Sequence, residues 1–226
     1  MAPRYNKPLF VIAKNLLLLG GKLAFRVQYI GGHNIPKTGG LIVASNHQSH
    51  LDPPTVGMGV PRDVHFMAKK ELAASPFLKW FLRSVGTIMV DRAQGREALA
   101  EAAEYLNAGM AIVIFPEGTR TRTGRIGPGK KGVAILAHRT GAAVVPACIV
   151  GADKNFPAGS KRMRFGKIVV RYGKPMTFEH IPEGEIDDKL VFATTQKIMD
   201  AIIELAPKDL WPLSKIESAE IKKEGE

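Results

Sequence analysis

The chain is 226 residues long, 45% hydrophobic, and carries a formal net charge of +11 at pH 7. That length suits one packed domain with additions, and the apolar content suits an ordinary globular core. The single cysteine, Cys148, excludes an intrachain disulfide and points to a reducing compartment. Its apolar surroundings, residues 142–150, read as core rather than as the setting of a nucleophile. The positive excess calls for an acidic partner such as anionic lipid, a phosphorylated metabolite or nucleic acid. Aromatic residues are only 7% and no nucleic-acid-binding pattern occurs, so no nucleic-acid partner is expected.

The leader comes first. Residues 9–27 are apolar but interrupted by Lys14, Asn15, Lys22 and Arg26, and no uninterrupted stretch approaches the roughly 20 residues that span a bilayer. No small-residue cleavage site follows, so it is a poor signal peptide. At roughly 100° per residue, Arg4, Lys7, Lys14, Asn15, Lys22 and Arg26 fall within an arc of about 120°. Leu9, Ile12, Ala13, Leu16, Leu17, Leu23 and Val27 lie mostly opposite. This is the pattern of a helix lying in a membrane interface with its basic arc toward anionic headgroups. Gly20-Gly21 is expected to break it into two pieces. The domain plan is therefore interfacial helices over 1–30, a main domain over 31–214 and a charged tail over 215–226.

After a turn-rich linker, residues 31–40, strand-like and helix-like segments alternate. The expected strands are 41–45, 64–68, 87–90, 111–115, 144–150 and 167–172. The expected helices are 53–60, 70–84, 95–108, 131–139 (stopped by Gly141) and 186–205. Continuous apolar strands alternating with helices argue for an α/β layered domain with a largely parallel or mixed central sheet.

Two loops at strand ends carry the chemistry. Asn46-His47-Gln48-Ser49-His50-Leu51-Asp52 follows the strand over 41–45, and Asp52 with Pro53-Pro54 reads as the capped start of a helix. A carboxylate on such a turn can reach one imidazole nitrogen of His47, fix its tautomer and leave the other nitrogen to face a substrate. A metal site through His47, His50 and Asp52 lacks further ligands in the pattern, and no metal or other cofactor is expected. Phe115-Pro116-Glu117-Gly118-Thr119-Arg120 follows the strand over 111–115 in the same way, at the sheet edge where α/β folds bind ligands. Arg120 can grip phosphate bidentately, and Gly118 allows a close backbone approach. Arg122, Arg125, Lys130 and Lys131 continue the positive charge into the next helix. Arg92, at the end of the strand over 87–90, and Lys69-Lys70 extend the same basic rim.

Other motifs fail on inspection. Gly124 to Lys130 has the phosphate-loop spacing, but Lys131 stands where serine or threonine should hold magnesium. Gly127-Pro128-Gly129-Lys130-Lys131-Gly132 fits Gly-x-Gly-x-x-Gly without a strand leading in. No Gly-x-Ser-x-Gly occurs, which disfavours a nucleophile-elbow hydrolase.

Taken in order, residues 46–52, 86–92 and 115–120, with Val145-Pro146 and the apolar run after it, resemble the glycerolipid acyltransferases. The likeness is to bacterial 1-acyl-glycerol-3-phosphate acyltransferases of the PlsC type. One departure is Gly127-Pro128-Gly129 before Lys130-Lys131, where that family often has an aromatic. The resemblance implies transfer of an acyl group from a thioester, on coenzyme A or acyl carrier protein, to the 2-hydroxyl of lysophosphatidic acid. It implies His47 as general base oriented by Asp52, with Arg92 and Arg120 on the acceptor phosphate. Gly118, Thr119 and Lys130 complete the implied acceptor site, and Glu117 belongs to that site or to its scaffold. The enzyme would work at the cytoplasmic face of the cell membrane, without a covalent acyl-enzyme.

Overall fold

The computed structural model describes residues 5–69, 75–84, 86–90, 95–121, 123–157, 159–160, 162–182, 184–212 and 214–215. Arg92 lies outside them, as do Arg4, Lys70, Arg122 and the tail from residue 216.

The centre of the fold is a five-residue strand that sequence alone makes unmistakable. Leu41–Ser45 (β2) is buried at every position, as a strand covered on both faces must be. On one side it pairs in parallel with Ala111–Ile114 (β5), and on the other with Ala143–Val150 (β6). Beyond β5 come Val64–Lys69 (β3) and Ile88–Val90 (β4), both parallel. Beyond β6 comes Val169–Tyr172 (β7), antiparallel to it, and then Gln28–Ile30 (β1), parallel to β7. The order β1-β7-β6-β2-β5-β3-β4 makes one seven-stranded mixed sheet.

Alternate side chains of β2 feed two cores. Ile42 and Ala44 pack with Ala102 and Leu106 of Gly95–Asn107 (α4), with Leu136 of Gly132–Thr140 (α5), and with Ile198 and Ile202 of Asp188–Leu205 (α7). Leu41 and Val43 pack on the other face with Val56 of Asp52–Met58 (α2) and with Ala152 of the short helix Ala152–Asn155 (α6). Helix α7 holds there because Val191, Thr194, Thr195, Ile198, Met199 and Ile202 recur every three or four residues on its buried side. Helix α5 stops where expected. Gly141 takes φ 61° and its N–H bonds Ala137 O at 2.9 Å, a left-handed cap that favours glycine.

Several boundaries differ from the expectation. The helix over 70–84 is described only as Pro76–Ser84 (α3), since residues 70–74 lie outside the described set. The strand β1 was hidden in the leader, because three residues with alternating exposure give no local signal. The leader is one helix, Lys7–Phe25 (α1), and not two. Gly21 is buried in it against α2, where a Cβ would stand 3.2 Å from Met58 Cε. The fastening of α1 to the domain carries the helix through the roughly 1 kcal/mol that a helical glycine costs.

Helix α1 is capped by Asn6, whose side chain accepts from Leu9 N at 3.1 Å. By length and composition it is long and apolar enough to cross a membrane, with a mean hydropathy of 1.5, which corrects the expectation that its interruptions leave it short. Its inner side is fastened to the domain. Lys14 Nζ donates to Val60 O at 3.0 Å and Arg62 O at 2.9 Å, so this lysine leaves the outward basic arc expected of it. The apolar strip opposite, with Ile12, Leu16, Leu19 and Leu23, stays exposed.

Candidate active site

Strands β2 and β5 are neighbours in register, Ala44 beside Ile114, so the loops that leave their carboxyl ends emerge side by side. The β2 loop is drawn into a tight turn by one buried carboxylate. Asp52 is fully buried, and its Oδ2 accepts from Gln48 N at 2.6 Å and Ser49 N at 2.7 Å, while His47 Nδ1 lies 2.8 Å away. Asp52 is thus the first residue of α2 and not its cap; Leu51 holds the cap position. The carboxylate turns back from the helix toward the amides before it. Pro53 and Pro54 fit the first turn because the amides they lack would have no partner there.

A carboxylate oxygen can only accept, so Nδ1 of His47 carries the hydrogen and Nε2 presents a lone pair. Among the described residues nothing bonds Nε2. The ring is 17% exposed and stacks on Phe115, centroids 4.2 Å apart and planes 24° from parallel. Phe115 is the first residue past β5, so that loop supplies the wall against which the imidazole rests.

The β5 loop also supplies the frame. Glu117 is buried, and its Oε1 accepts from His47 N at 2.8 Å while Oε2 accepts from Gly127 N at 2.9 Å. Burial pushes its carboxyl up to about 7, with the two amide donors pulling the other way and the nearby Asp52 adding to the rise. Thr121 N donates to His47 O at 2.8 Å, Lys130 N to Pro116 O at 2.8 Å, and Gln48 Nε2 to Gly124 O at 3.1 Å. Both carboxylate oxygens of Glu117 are therefore engaged with backbone, inside the frame. Gly127 and Gly129, the departure noted in the sequence, suit this packing: a Cβ on Gly129 would press Met199 Cγ of α7 at 2.6 Å.

Asn46 completes the frame from the other side. It is fully buried at the end of β2, where its Oδ1 accepts from Ile149 N at 2.8 Å and its Nδ2 donates to Ile149 O at 3.0 Å. It stitches the turn to β6, which sequence reasoning placed in the motif without giving it a task. Phe115 was likewise not singled out. The only signal for either was position, one residue from the histidine and at the end of the neighbouring strand.

Of the other expected residues, Arg120 acts on this turn. Arg120 is half-buried, and its Nη1 is buried with no hydrogen-bond partner. Its charge reaches the turn: after burial itself, Arg120 is the largest influence holding the His50 imidazole below its ordinary pKa, followed by His47, with Asp52 opposing. Gly118 takes φ 68°, and a Cβ there would stand 2.9 Å from Lys130 Nζ, so the lysine side chain lies across the loop. Thr119 is exposed. Arg92 lies outside the described residues, and its convergence on the turn has no structural description. Cys148 is fully buried, and burial pushes its thiol up to about 12, which removes it as a nucleophile. The amides of His47, Gln48 and Ser49 are bonded to Glu117 and Asp52 and so are not free to serve as oxyanion donors. A groove of about 630 Å³ is lined by Tyr5, Asn6, Pro76, Lys79, Trp80 and Arg83, and includes neither His47 nor Arg120.

Known proteins resemble the chain in sequence and in fold. A 1-acyl-sn-glycerol-3-phosphate acyltransferase of Bacillus subtilis (strain 168) is 30% identical over 179 residues, 77% of this chain and 87% of that one. A chloroplastic protein of the same name from Arabidopsis thaliana is 32% identical over 157 residues, 67% of this chain but 44% of its own length. The chain thus spans under half the length of the two chloroplastic relatives from Arabidopsis thaliana and Brassica napus. The crystal structure of the 1-acyl-sn-glycerophosphate (LPA) acyltransferase PlsC from Thermotoga maritima superposes with a TM-score of 0.69 at 29% identity, covering 87% of this chain and 80% of that one. The profile of the family described as Acyltransferase matches residues 26–150. That span holds β2 with its turn, β5 with its loop, and β6, the parts that build the setting of His47, and the chain belongs to the acyltransferase family.

Proposed function

We propose that the protein is a 1-acylglycerol-3-phosphate O-acyltransferase, moving a fatty acyl group from an acyl thioester to the 2-hydroxyl of lysophosphatidic acid to give phosphatidic acid. One observation carries the reading. His47 is held through Nδ1 by a buried carboxylate, with Nε2 unclaimed by any described residue and the charge of Arg120 felt at His50 on the same turn. An imidazole so held is built to take a proton and to be stabilised once it has.

His47 Nε2 takes the proton of the acceptor hydroxyl as its oxygen attacks the thioester carbonyl carbon. The tetrahedral intermediate collapses with cleavage of the carbon–sulfur bond. The proton held on His47 goes to the departing sulfur, whose thiol has an ordinary pKa of about 8.5 and leaves readily. Asp52 stays ionised and balances the imidazolium. Arg120, with an unpartnered guanidinium nitrogen, and Lys130, lying across Gly118, hold the acceptor phosphate and set its hydroxyl against His47. Arg92, Gly118 and Thr119 join the acceptor site in this reading. Glu117 serves it from behind, by fixing the backbone of His47. The exposed strip of α1 rests in the interface of an anionic membrane at its cytoplasmic face, where both long-chain substrates reside.

The test is product analysis by mass spectrometry on the purified full chain. It is supplied in detergent micelles with lysophosphatidic acid, glycerol-3-phosphate or lysophosphatidylcholine, and with acyl-CoA or acyl carrier protein as donor. Phosphatidic acid formed from lysophosphatidic acid with either donor is expected. Preferential acylation of another acceptor would overturn the substrate assignment, and no acylation at all would overturn the activity.

A further inference from the structure

The segment between α6 and β7 reads Ser160-Lys161-Arg162-Met163-Arg164-Phe165-Gly166-Lys167, alternating cations with large apolar side chains. Met163 is 49% exposed and Phe165 72% exposed. A loop that shows a phenylalanine and a methionine to solvent invites a partner, and this one is held in place while doing so. Buried Asn155 grips it from inside: Arg164 N donates to Asn155 O at 2.7 Å, and Asn155 Nδ2 donates to Gly166 O at 3.1 Å. Gly166 is required there, since a Cβ would lie 2.5 Å from Asn155 Oδ1.

Both ends of the segment are tied to parts already described. At its start, Ser49 of the catalytic turn pairs with Pro157, Ser49 Oγ donates to Phe156 O at 2.6 Å, and the rings of His50 and Phe156 lie 5.5 Å apart. At its end, Ile168 N donates to Phe25 O at 3.1 Å, and Phe165 meets Phe25 ring to ring at 5.7 Å. The loop therefore runs from the His47 turn to the carboxyl end of α1, next to exposed Leu23 and the cations Lys22 and Arg26.

We infer that this loop is a second membrane-contacting element, which sets Met163 and Phe165 into the interface of an anionic bilayer while Arg162 and Arg164 engage lipid phosphates. The inference rests on the reading of α1 as an interfacial helix and adds a separate point of contact. Charge complementarity and the adjoining apolar strip of α1 select lipid over a protein partner. Met163 and Phe165 protrude, the latter beside Phe25. A protein partner needs a matching recess for each, whereas acyl chains close around any protrusion. The loop and the adjoining end of α1 together make a broader contact than one helix lying flat. They bring the bilayer up to the side of the molecule where the His47 turn receives its lipid.

The test uses the buried position of Cys148, which leaves an introduced cysteine as the accessible thiol. Phe165→Cys and Leu23→Cys are each labelled in the full chain with an environment-sensitive fluorophore. They are mixed with vesicles of phosphatidylglycerol and phosphatidylcholine, of phosphatidylcholine alone, and with acyl carrier protein. The expected result is a blue-shifted, brightened emission at both sites with the anionic vesicles only. In sedimentation, Arg162→Gln with Arg164→Gln lowers the partition onto anionic vesicles about tenfold or more, and leaves the weak partition onto neutral vesicles unchanged. A response at Leu23 without one at Phe165 overturns the second contact and leaves the reading of α1 intact. Silence at both sites overturns both. A response at Phe165 to acyl carrier protein and not to vesicles overturns the lipid assignment in favour of a protein.

Discussion

His47 and His138 stand in two regions that treat an imidazole differently. His138 belongs to the helical layer, buried on α5, with Nδ1 2.9 Å from Glu179 O and Nε2 2.9 Å from Thr194 Oγ1 of α7. A carbonyl only accepts, so Nδ1 donates to it and Nε2 accepts from the hydroxyl. Both nitrogens are spent on structure. His47 belongs to the sheet edge, where Nδ1 is fixed by Asp52 and the ring is walled by Phe115, yet Nε2 has no partner among the described residues. The number of ring nitrogens left over separates a staple from a base.

The largest test of this contrast is His47→Ala. Acyl transfer to lysophosphatidic acid should fall about 10²- to 10⁴-fold, the usual worth of a positioned general base. Thermal unfolding should stay within a few degrees of the parent, because a partly exposed ring with one bond to protein is removed. Comparable turnover in the two proteins would mean that the open nitrogen does nothing.

The next effect belongs to the frame behind His47. Glu117 has a folded pKa raised to about 7 by burial, above the value of an unfolded glutamate. The folded state therefore holds this proton more tightly. That contribution to stability is fully present below about pH 4.5 and is lost as pH rises through about 7. Glu117→Gln removes the titration. Chemical denaturation of both proteins from pH 5 to pH 8 should show the parent losing on the order of 2–3 kcal/mol relative to the variant. A difference that does not change with pH would show that the carboxylate is comfortable where it sits. The sheet edge would then differ from the helical layer in geometry alone.

His138→Ala reverses the first experiment. Two buried hydrogen bonds and a ring's packing are lost, so the protein should be destabilised by roughly 2–3 kcal/mol, with Thr194 left without its partner. Turnover per folded molecule at a permissive temperature should match the parent. Measuring both quantities on both histidine variants gives a crossed pattern, and an uncrossed one would break the comparison.

How much of this could be read from sequence follows the same division between near and far. Strand β2 and the stop of α5 at Gly141 were legible because a continuous apolar run and a left-handed cap are local facts. The pairing of His47 with Asp52 was legible because five residues on one turn are also local. Glu117 was expected among the acceptor's contacts. The other role expected of it, as scaffold, is the one seen: its oxygens are taken by the amides of His47, seventy positions earlier, and Gly127, which only the folded sheet brings together. The same holds for Gly21, which packs near Met58 of α2 inside a helix it was expected to break. Asp52 was read as a helix cap because its position fits one. The competing attraction of the amides of Gln48 and Ser49 on the other side of it leaves no trace in spacing.

The smallest effect lies in the helical layer, where α7 is joined to the segment leading into α5 a second time, at the surface. Lys131 Nζ lies 2.7 Å from Asp188 Oδ1, but the two side chains are 56% and 84% exposed. Water screens such a pair, and holding two flexible side chains together costs entropy, so its net worth is below about 1 kcal/mol. Asp188 also stands in the first turn of α7, where a negative charge favours the helix by a few tenths of a kcal/mol. Asp188→Asn should therefore lower the unfolding temperature by no more than about 3 °C, and the difference should shrink further in high salt. Beside His138→Ala, this measures two links of the same helix in one protein, one dry and one wet. A surface loss equal to the buried one would mean that α7 is held by charge at its start, and that the two closed nitrogens of His138 matter less to the fold than their burial implies.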